Sequence, residues 1–423
     1  MKRFLIRTLG CKVNQYDSEV LRESLISTGW TESEDTPSLV IVNTCTVTAV
    51  SDEKSRKLIR RLHRRFPLAR IVATGCYAER DTQALLQVEG VSDVIPGRKK
   101  WEVLSVAEES AHQPATAPFF GGVGSLAGHS RAFLKIEDGC ESFCSYCIVP
   151  LVRGPVRSRD PDDAIDEARR LIDSGFQEIV LTGIHLGAYG KESGNESLPQ
   201  LVERMCEIPG QWRLRLSSIE IGEVSDRLLD AMTSSEKVCP HLHIPLQSGD
   251  DRILKLMNRR YTRSDFLDAV KRLRKRLPAP GLTTDVLVGF PGEGELEFES
   301  TRSLCREITF SRLHVFPFSP REGTLAFAMP GRLPPTEIRP RVDELCALGR
   351  TLQDDFAKRF IDRTVEVLVE SKRDKKTGMF RGYSERYVRV MLNGPDDLKG
   401  TLVRAKGIKT DGAGTLVAEQ SND

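Results

Sequence analysis

Residues 132–147 read AFLKIEDGCESFCSYC, and this stretch decides the fold. Ala132–Ile136 predicts a short apolar strand, and Cys140, Cys144 and Cys147 follow it in one loop. Three thiolates within eight residues can hold three corners of an iron–sulfur cube and leave the fourth iron without a protein ligand. An open iron is a place for chemistry, so the run points to an enzyme. Two bland readings stand beside it: a zinc site, or three unrelated thiols. Structural zinc wants four protein ligands. No His or Cys follows Cys147 within twenty residues, although His185, beyond the next strand, can close such a site.

Outward from this loop the chain repeats a strand–helix rhythm. After Ala132–Ile136 come strand-like runs at Glu178–Leu181, Arg213–Leu216, Leu242–Leu246, Thr284–Val288 and Leu313–Phe316. Helical patterns lie between them, for example Pro161–Ser174 and Arg263–Arg276. Six such units predict a closed or partly closed parallel barrel, whose chemistry sits at the C-terminal strand ends. Before it, residues 109–129 (ESAHQPATAPFFGGVGSLAGH) are rich in Ala, Pro, Gly and Ser and read as a linker.

The first 108 residues predict a small doubly wound α/β domain. Its strands are Phe4–Leu9, Ser38–Val42, Ala69–Ala73 and a short one at Val94 and Ile95, with a helix near Arg80–Gln87. Ser51 is the expected N-cap of the helix after the second strand. Cys11, Cys45 and Cys76 each stand just beyond a predicted strand, 34 and 31 residues apart, about one βα unit each. In an open parallel sheet the C-terminal strand ends form one crevice where ligands bind, so these scattered thiols are expected to meet and hold a second cluster. The alternative is three small apolar fillers at a sheet edge. Cys206, Cys305 and Cys346 lie in apolar helical segments and read as core. From about Arg363 the pattern turns to alternating strands separated by Gly-, Asp- and Lys-rich turns, a small antiparallel barrel. The expected division is therefore 1–108, a linker over 109–129, 130–360, and 361–423.

Composition bounds the rest. The 423 residues are 39% hydrophobic and 29% charged, with a formal net charge of +2. That is enough for two or three cores. No stretch approaches the ~18 apolar residues of a membrane span, so no membrane partner is expected. The start MKRFLIRTLGCKVNQ has its apolar run broken at Arg7 and does not read as a secretory signal. Ten cysteines without such a signal suggest reduced thiols in the cytoplasm.

The run CESFCSYC has the C-x3-C-x2-C pattern of the radical S-adenosylmethionine enzymes, with Tyr146 as the aromatic before the third cysteine. TLGCKVNQYDSE, VNTCTVT and TGCYAE resemble the N-terminal domain of the methylthiotransferases within that superfamily. VPLVRGPVRSR, LTGIHLGAYG, HIPLQSGDDRILKLMNRRY, TDVLVGFPGE and FPFSPREGT are similar to that family as well, and the C-terminal module resembles its RNA-binding TRAM domain. GCKVNQ looks closest to the branch acting on N6-threonylcarbamoyladenosine at tRNA position 37. The alternatives are isopentenyladenosine-37 of tRNA or a ribosomal-protein aspartate. The resemblance implies two [4Fe–4S] clusters, on Cys140, Cys144 and Cys147 and on Cys11, Cys45 and Cys76. It implies two molecules of S-adenosylmethionine per turnover, one cleaved to a 5′-deoxyadenosyl radical and one giving a methyl group. It also implies an external electron donor of the flavodoxin or ferredoxin type and a sulfur source. A competitor of another class is a non-catalytic RNA-binding protein whose clusters sense iron or redox state; it has no need of a six-stranded catalytic scaffold.

Supporting groups are individually weaker. Tyr146 is a candidate against the adenine of S-adenosylmethionine, with Gly183, Ser217, Gln247 and Gly289 near strand ends, although such residues also serve turns. Lys54–Arg70 carries eight Lys/Arg and no acid. With Leu58, Ile59, Leu62 and Phe66 as its apolar stripe, Lys54, Arg56, Lys57, Arg60, Arg61, Arg64 and Arg65 face outward, to hold RNA phosphates or simply to be solvated. Arg153, Arg157 and Arg159 can meet a substrate phosphate or the carboxylate of the nucleotide cofactor, or form structural salt bridges. His185, His243 and Asp285 read as polar support.

Overall fold

The computed structural model describes residues 2–108, 122–123, 130–194 and 196–421. The expected linker lies outside these residues, apart from 122 and 123. The chain forms two compact units. The first gathers Met1–Gly124, Lys135–Arg159 and Ser319–Phe327, and the second gathers Ser125–Leu134, Asp160–Phe318 and Ala328–Asp423.

The first unit is built on a parallel sheet of β1 (Arg3–Thr8), β2 (Thr31–Glu32), β3 (Leu39–Thr44), β4 (Arg70–Gly75) and β5 (Asp93–Val94), in the order β2-β1-β3-β4-β5. Every residue of β3 is buried, as expected of a central strand with both faces covered. Its register runs Phe4 to Leu39 on one side and Thr44 to Gly75 on the other. One face packs Leu5, Val40, Val42, Ile71 and Ala73 against Leu58, Ile59 and Leu62 of helix α2 (Ala49–Arg65). Full burial of one such side chain stabilises by about 1.5–3 kcal/mol.

Helix α2 starts three residues earlier than the sequence suggests. Its N-cap is Thr48, not Ser51: Thr48 is extended and its hydroxyl accepts from the backbone N–H of Ser51 at 3.1 Å. Two hydroxyl residues compete there, and the one with extended backbone geometry caps. The helix expected near Arg80–Gln87 is two short ones, α3 (Cys76–Arg80) and Thr82–Leu86, divided at Asp81, whose carboxylate accepts from the N–H of Ala84.

Ala132–Lys135, Glu178–Thr182 and Arg213–Leu216 form one three-stranded sheet, which lies in the second unit but for Lys135, and His241–His243, Gly281–Val288 and Arg312–Pro317 form another. Parallel bridges Leu214 to Val238 and Ser218 to His243 join them. Six parallel strands thus follow in chain order, a partial barrel. The fourth is shorter than the expected Leu242–Leu246 because Pro245 has no N–H to give a ladder. Residues 364–420 close a five-stranded barrel around Val367, Val369, Phe380, Val390, Leu392 and Leu416. Arg213 donates to the carbonyls of Glu366 and Tyr383, and Arg215 to those of Ser384 and Glu385; Glu178 accepts from both guanidinium groups. No helix among the described residues is long and apolar enough to cross a membrane.

Candidate thiolate centres

The sheet order 2-1-3-4-5 reverses direction between β1 and β3, and ligands of such folds bind outside the C-terminal strand ends at that reversal. Cys11 and Cys45 lie there: Cys11 is the N-cap of helix α1 (Lys12–Ser27), three residues past β1, and Cys45 follows β3 directly. Cys76 follows β4 and opens α3. The backbone lets them approach. Gly10 has φ +108°, and a Cβ there would stand 3.0 Å from the Cβ and 3.2 Å from the Sγ of Cys45. Gly75 has φ +92°, and a Cβ there would fall 2.3 Å from Asn43 Oδ1 and 2.6 Å from the Thr44 carbonyl. Neither position accepts a side chain without strain.

The three thiols sense one another. Burial pushes the Cys76 thiol up to about 11, the negative charges of Cys11 and Cys45 add to that, and Arg153 opposes it. Burial also raises Cys45, with Cys11 adding. As free thiols both stay protonated at neutral pH; a metal would deprotonate them outright. Asn14 ties the group together. Its amide nitrogen donates to the carbonyls of Leu9 (2.9 Å) and Thr44 (3.0 Å), and its Oδ1 accepts from Arg153 and lies 3.8 Å from Cys76 Sγ.

Cys140, Cys144 and Cys147 are half-buried in the same unit. Gly139, at φ +99°, lets the chain pass so close to Pro155 that a Cβ would lie 1.9 Å from its carbonyl oxygen. The Cys140 N–H donates to the Gly154 carbonyl (3.0 Å) and the Cys147 N–H to the Cys144 carbonyl (2.9 Å). Ala326, from a distant part of the chain, donates to the Ser145 carbonyl (2.7 Å). Cys76 shares one apolar cluster with Ile148 and Val152, so the chain just after Cys147 belongs to the same core as a cysteine of the other group. Among the described residues no three His, Cys, Asp or Glu stand as ligands of a single ion would. A four-iron cube spaces its thiolates more widely than one ion does, and the donor set of three soft sulfurs suits it.

Behind both groups lies a buried charge network that the sequence does not reveal. Asp17 accepts from Lys100 (2.5 Å), Lys135 (2.8 Å) and Arg153 (3.1 Å), and Asp138 from Lys135 (2.7 Å) and Arg153 (3.0 Å). Burial alone would raise both carboxyls. Lys100, Lys135 and Arg153 instead hold Asp17 well below the usual carboxylate range, and Arg153, Lys135 and Lys100 hold Asp138 at about 2. A second network joins Arg321 to Thr46 and Asp52 (each 2.7 Å), with Arg80 on Asp52 at 3.0 Å. Thr46 adjoins Cys45. Among the three arginines after the loop of Cys140, Cys144 and Cys147, Arg153 and Arg159 are buried, Arg159 donating to the Tyr16 hydroxyl at 3.3 Å; Arg157 is exposed.

The remaining candidates are placed as follows. Lys54, Lys57, Arg60, Arg61, Arg64 and Arg65 are exposed along α2, while Arg56 is half-buried and donates to the Tyr77 hydroxyl at 2.7 Å. Lys57 pairs with Glu53, and Arg65 with the Glu34 carbonyl. Gly183, Ser217 and Gly289 each stand one residue past a barrel strand, and Gln247, at φ +61°, bridges to Val286. The N–H of Gly289 donates to Glu293. Tyr146 is half-buried beside Cys147. His185 pairs with Glu223 at 2.9 Å, and His243 with Thr283 and Asp285.

Residues 134–305 match the Radical SAM superfamily, and residues 3–97 match the uncharacterized protein family UPF0004. Among solved structures the chain resembles the radical S-adenosylmethionine methyltransferase TsrM from Kitasatospora setae, at TM-score 0.56 and 16% identity over 77% of each chain; this likeness concerns the fold alone. The threonylcarbamoyladenosine tRNA methylthiotransferase MtaB of Bacillus subtilis is 36% identical, covering 97% of this chain and 94% of that protein. That of Chlamydia pneumoniae is 39% identical, covering 92% and 90%. With likeness of this degree running through both thiol groups and on to the C-terminal barrel, the chain belongs to the radical S-adenosylmethionine tRNA methylthiotransferase family of these proteins.

Proposed function

We propose that the protein converts N6-threonylcarbamoyladenosine at position 37 of tRNA to its 2-methylthio derivative. The observation that carries this reading is the gathering of two three-thiol groups in one unit, where Cys76 shares an apolar cluster with Ile148 and Val152. Cys140, Cys144 and Cys147 would hold one [4Fe–4S] cluster and Cys11, Cys45 and Cys76 the other. When bound, the clusters and S-adenosylmethionine supply a hydrogen-abstracting radical, a sulfur atom and a methyl group, for a net change of C–H to C–S–CH3. The chain's own part is placement. Arg153 sets a fixed positive charge beside Cys11, Cys45 and Cys76, which favours thiolates there. Asp17 and Asp138 hold Arg153 in place. The residue Gly154 next to it accepts the Cys140 N–H, so one short segment serves both groups.

Gly183, Ser217, Gln247 and Gly289 are the proposed contacts of S-adenosylmethionine, because glycine and small polar residues at strand ends admit close backbone approach. The exposed bases of α2, with Arg157, and the C-terminal barrel over 361–423 are the proposed tRNA contacts. We place the protein in the cytoplasm, served by a flavodoxin- or ferredoxin-type donor and a sulfur source. The substrate is tested by mass spectrometry of tRNA nucleosides from a deletion strain. The 2-methylthio derivative of threonylcarbamoyladenosine should vanish, with its unthiolated precursor accumulating. Loss of the isopentenyl derivative instead, or no change, would reject this assignment.

A further inference from the structure

Arg153 stands six residues past Cys147, at the end of the short helix Val149–Arg153, yet its guanidinium is turned toward the other thiol group. Two carboxylates hold it: its Nη1 donates to Asp17 (3.1 Å) and to Asp138 (3.0 Å). Its Nη2 donates to Asn14 Oδ1, and that amide is the joint between the cation and the three cysteines. Asn14 Nδ2 donates to the carbonyl of Leu9, two residues before Cys11, and to that of Thr44, the neighbour of Cys45. Asn14 Oδ1 lies 3.8 Å from Cys76 Sγ. Cys76, Asp138 and Arg153 also line one small cavity. Burial pushes the thiols of Cys45 and Cys76 up, and the charge of Arg153 pulls both down.

A guanidinium keeps its charge at any working pH. Arg153 is buried, so that charge acts on its neighbours with little screening. Net charge and hydrogen bonds around the sulfurs set the reduction potential of an iron–sulfur centre, and a fixed cation favours the state that carries one more electron. We infer, on the reading that Cys11, Cys45 and Cys76 hold a [4Fe–4S] cluster, that Arg153 raises the reduction potential at that site, so that an electron is readily taken up there during sulfur insertion. The need for such an acceptor follows from counting electrons. The substrate hydrogen leaves with the 5′-deoxyadenosyl radical, as 5′-deoxyadenosine. The carbon radical left behind brings one electron to the new C–S bond, and a closed-shell sulfur brings a pair. The bond uses two of these three electrons. The third goes to the centre that held the sulfur, from [4Fe–4S]2+ to [4Fe–4S]+, and Arg153 beside that centre makes its uptake more favourable. Asp138 offsets part of the same charge, which gives the site a lever of opposite sign.

The test is an EPR-monitored redox titration of the full, anaerobically reconstituted protein. The signal missing from Cys76→Ala identifies the cluster in question. Arg153→Met should lower its midpoint by about a tenfold change in the reduction equilibrium, about 59 mV for one electron. Arg153→Lys, which keeps the charge, should stay close to the wild type. Asp138→Asn removes a negative charge from beside Arg153 and should move the midpoint upward by a similar amount. A purely structural role would loosen the site in both variants and give no such reversal of sign. Midpoints that stay put, or that move the same way in Arg153→Met and Asp138→Asn, would overturn the inference. If Arg153→Met does not keep its iron, the direction of the shift in Asp138→Asn decides. A wild type that holds only one cluster would remove the reading beneath the inference, and the inference with it. Shifts of the stated signs without methylthio product on tRNA would reject the reaction assignment and leave the role of Arg153 standing.

Discussion

Cys140, Cys144 and Cys147 sit within eight residues of one loop, whereas Cys11, Cys45 and Cys76 come from three separate strand ends and meet only because β1, β3 and β4 run parallel in adjacent register. The local group is shaped by its own backbone: Gly139 against Pro155, Cys140 on Gly154, Cys147 on Cys144. The dispersed group inherits its geometry from the whole sheet and from Asn14, which spans Leu9, Thr44 and Arg153. A donor set can thus be specified by spacing or by topology. The two differ in what destroys them.

The sharpest way to separate the groups is to remove one ligand from each. Cys140→Ala should abolish 5′-deoxyadenosine formation altogether. Cys76→Ala should stop sulfur insertion yet leave some S-adenosylmethionine cleavage, with iron falling from about eight to about four atoms per chain. Complete loss of cleavage in Cys76→Ala, with the other cluster intact by spectroscopy, would erase the distinction. Next in size is Asp17→Asn, which removes the carboxylate shared by Lys100, Lys135 and Arg153. Taking one carboxylate away from three buried cations should cost about 3–5 kcal/mol by chemical denaturation, and unlike a single cysteine change it should impair both groups.

The same network predicts acid sensitivity. Asp138 is depressed from 3.8 to about 2 and Asp17 is depressed as well. Their contribution is complete above the ordinary carboxylate range and is lost as pH falls through it toward 2. A stability that stayed flat from pH 5 to 2.5 would contradict the paired carboxylates. The smallest effects belong to the glycines. Gly75→Ala forces a side chain onto Asn43 and Thr44 at φ +92° and should cost about 1–3 kcal/mol. Its iron loss should fall on the dispersed group, and that of Gly139→Ala on the local one. Equal loss at both groups from either glycine would show that the two are not independently built.

Much of this arrangement is legible in the sequence, for physical reasons. The local group is visible because its spacing lies within one loop, and the approach of the dispersed group follows from a regular βα rhythm that returns the chain to the same sheet edge. The alternating pattern after Arg363 predicts the closed barrel because a period of two leaves few other folds. Other features escape. Arg153 meets Asp17 across 136 residues, and Arg321 meets Asp52 across 269; no local pattern marks which charges will be buried together. Thr48 and Ser51 offer the same capping chemistry, and backbone geometry alone selects between them. Arg153 and Arg159 read from sequence as candidates for phosphate, cofactor carboxylate or salt bridges; the ion pair of Arg153 with Asp17 and the hydroxyl contact of Arg159 depend on α1 partners more than a hundred residues earlier.

The segment Ser319–Phe327 belongs to the first unit although most of the second is synthesised before it. Arg321 completes the Thr46–Asp52–Arg80 network, so a nascent chain emerges from the ribosome with that network open. At the usual pace of translation, the 269 residues separating Asp52 from Arg321 take roughly 15–50 s to make. Throughout that interval the thiols are present without their last supporting arginine. Metal loading should therefore be a late event in the life of this polypeptide, after synthesis has passed Phe327, and a fragment ending before it should mature poorly even with all six cysteines of the two proposed sites in place.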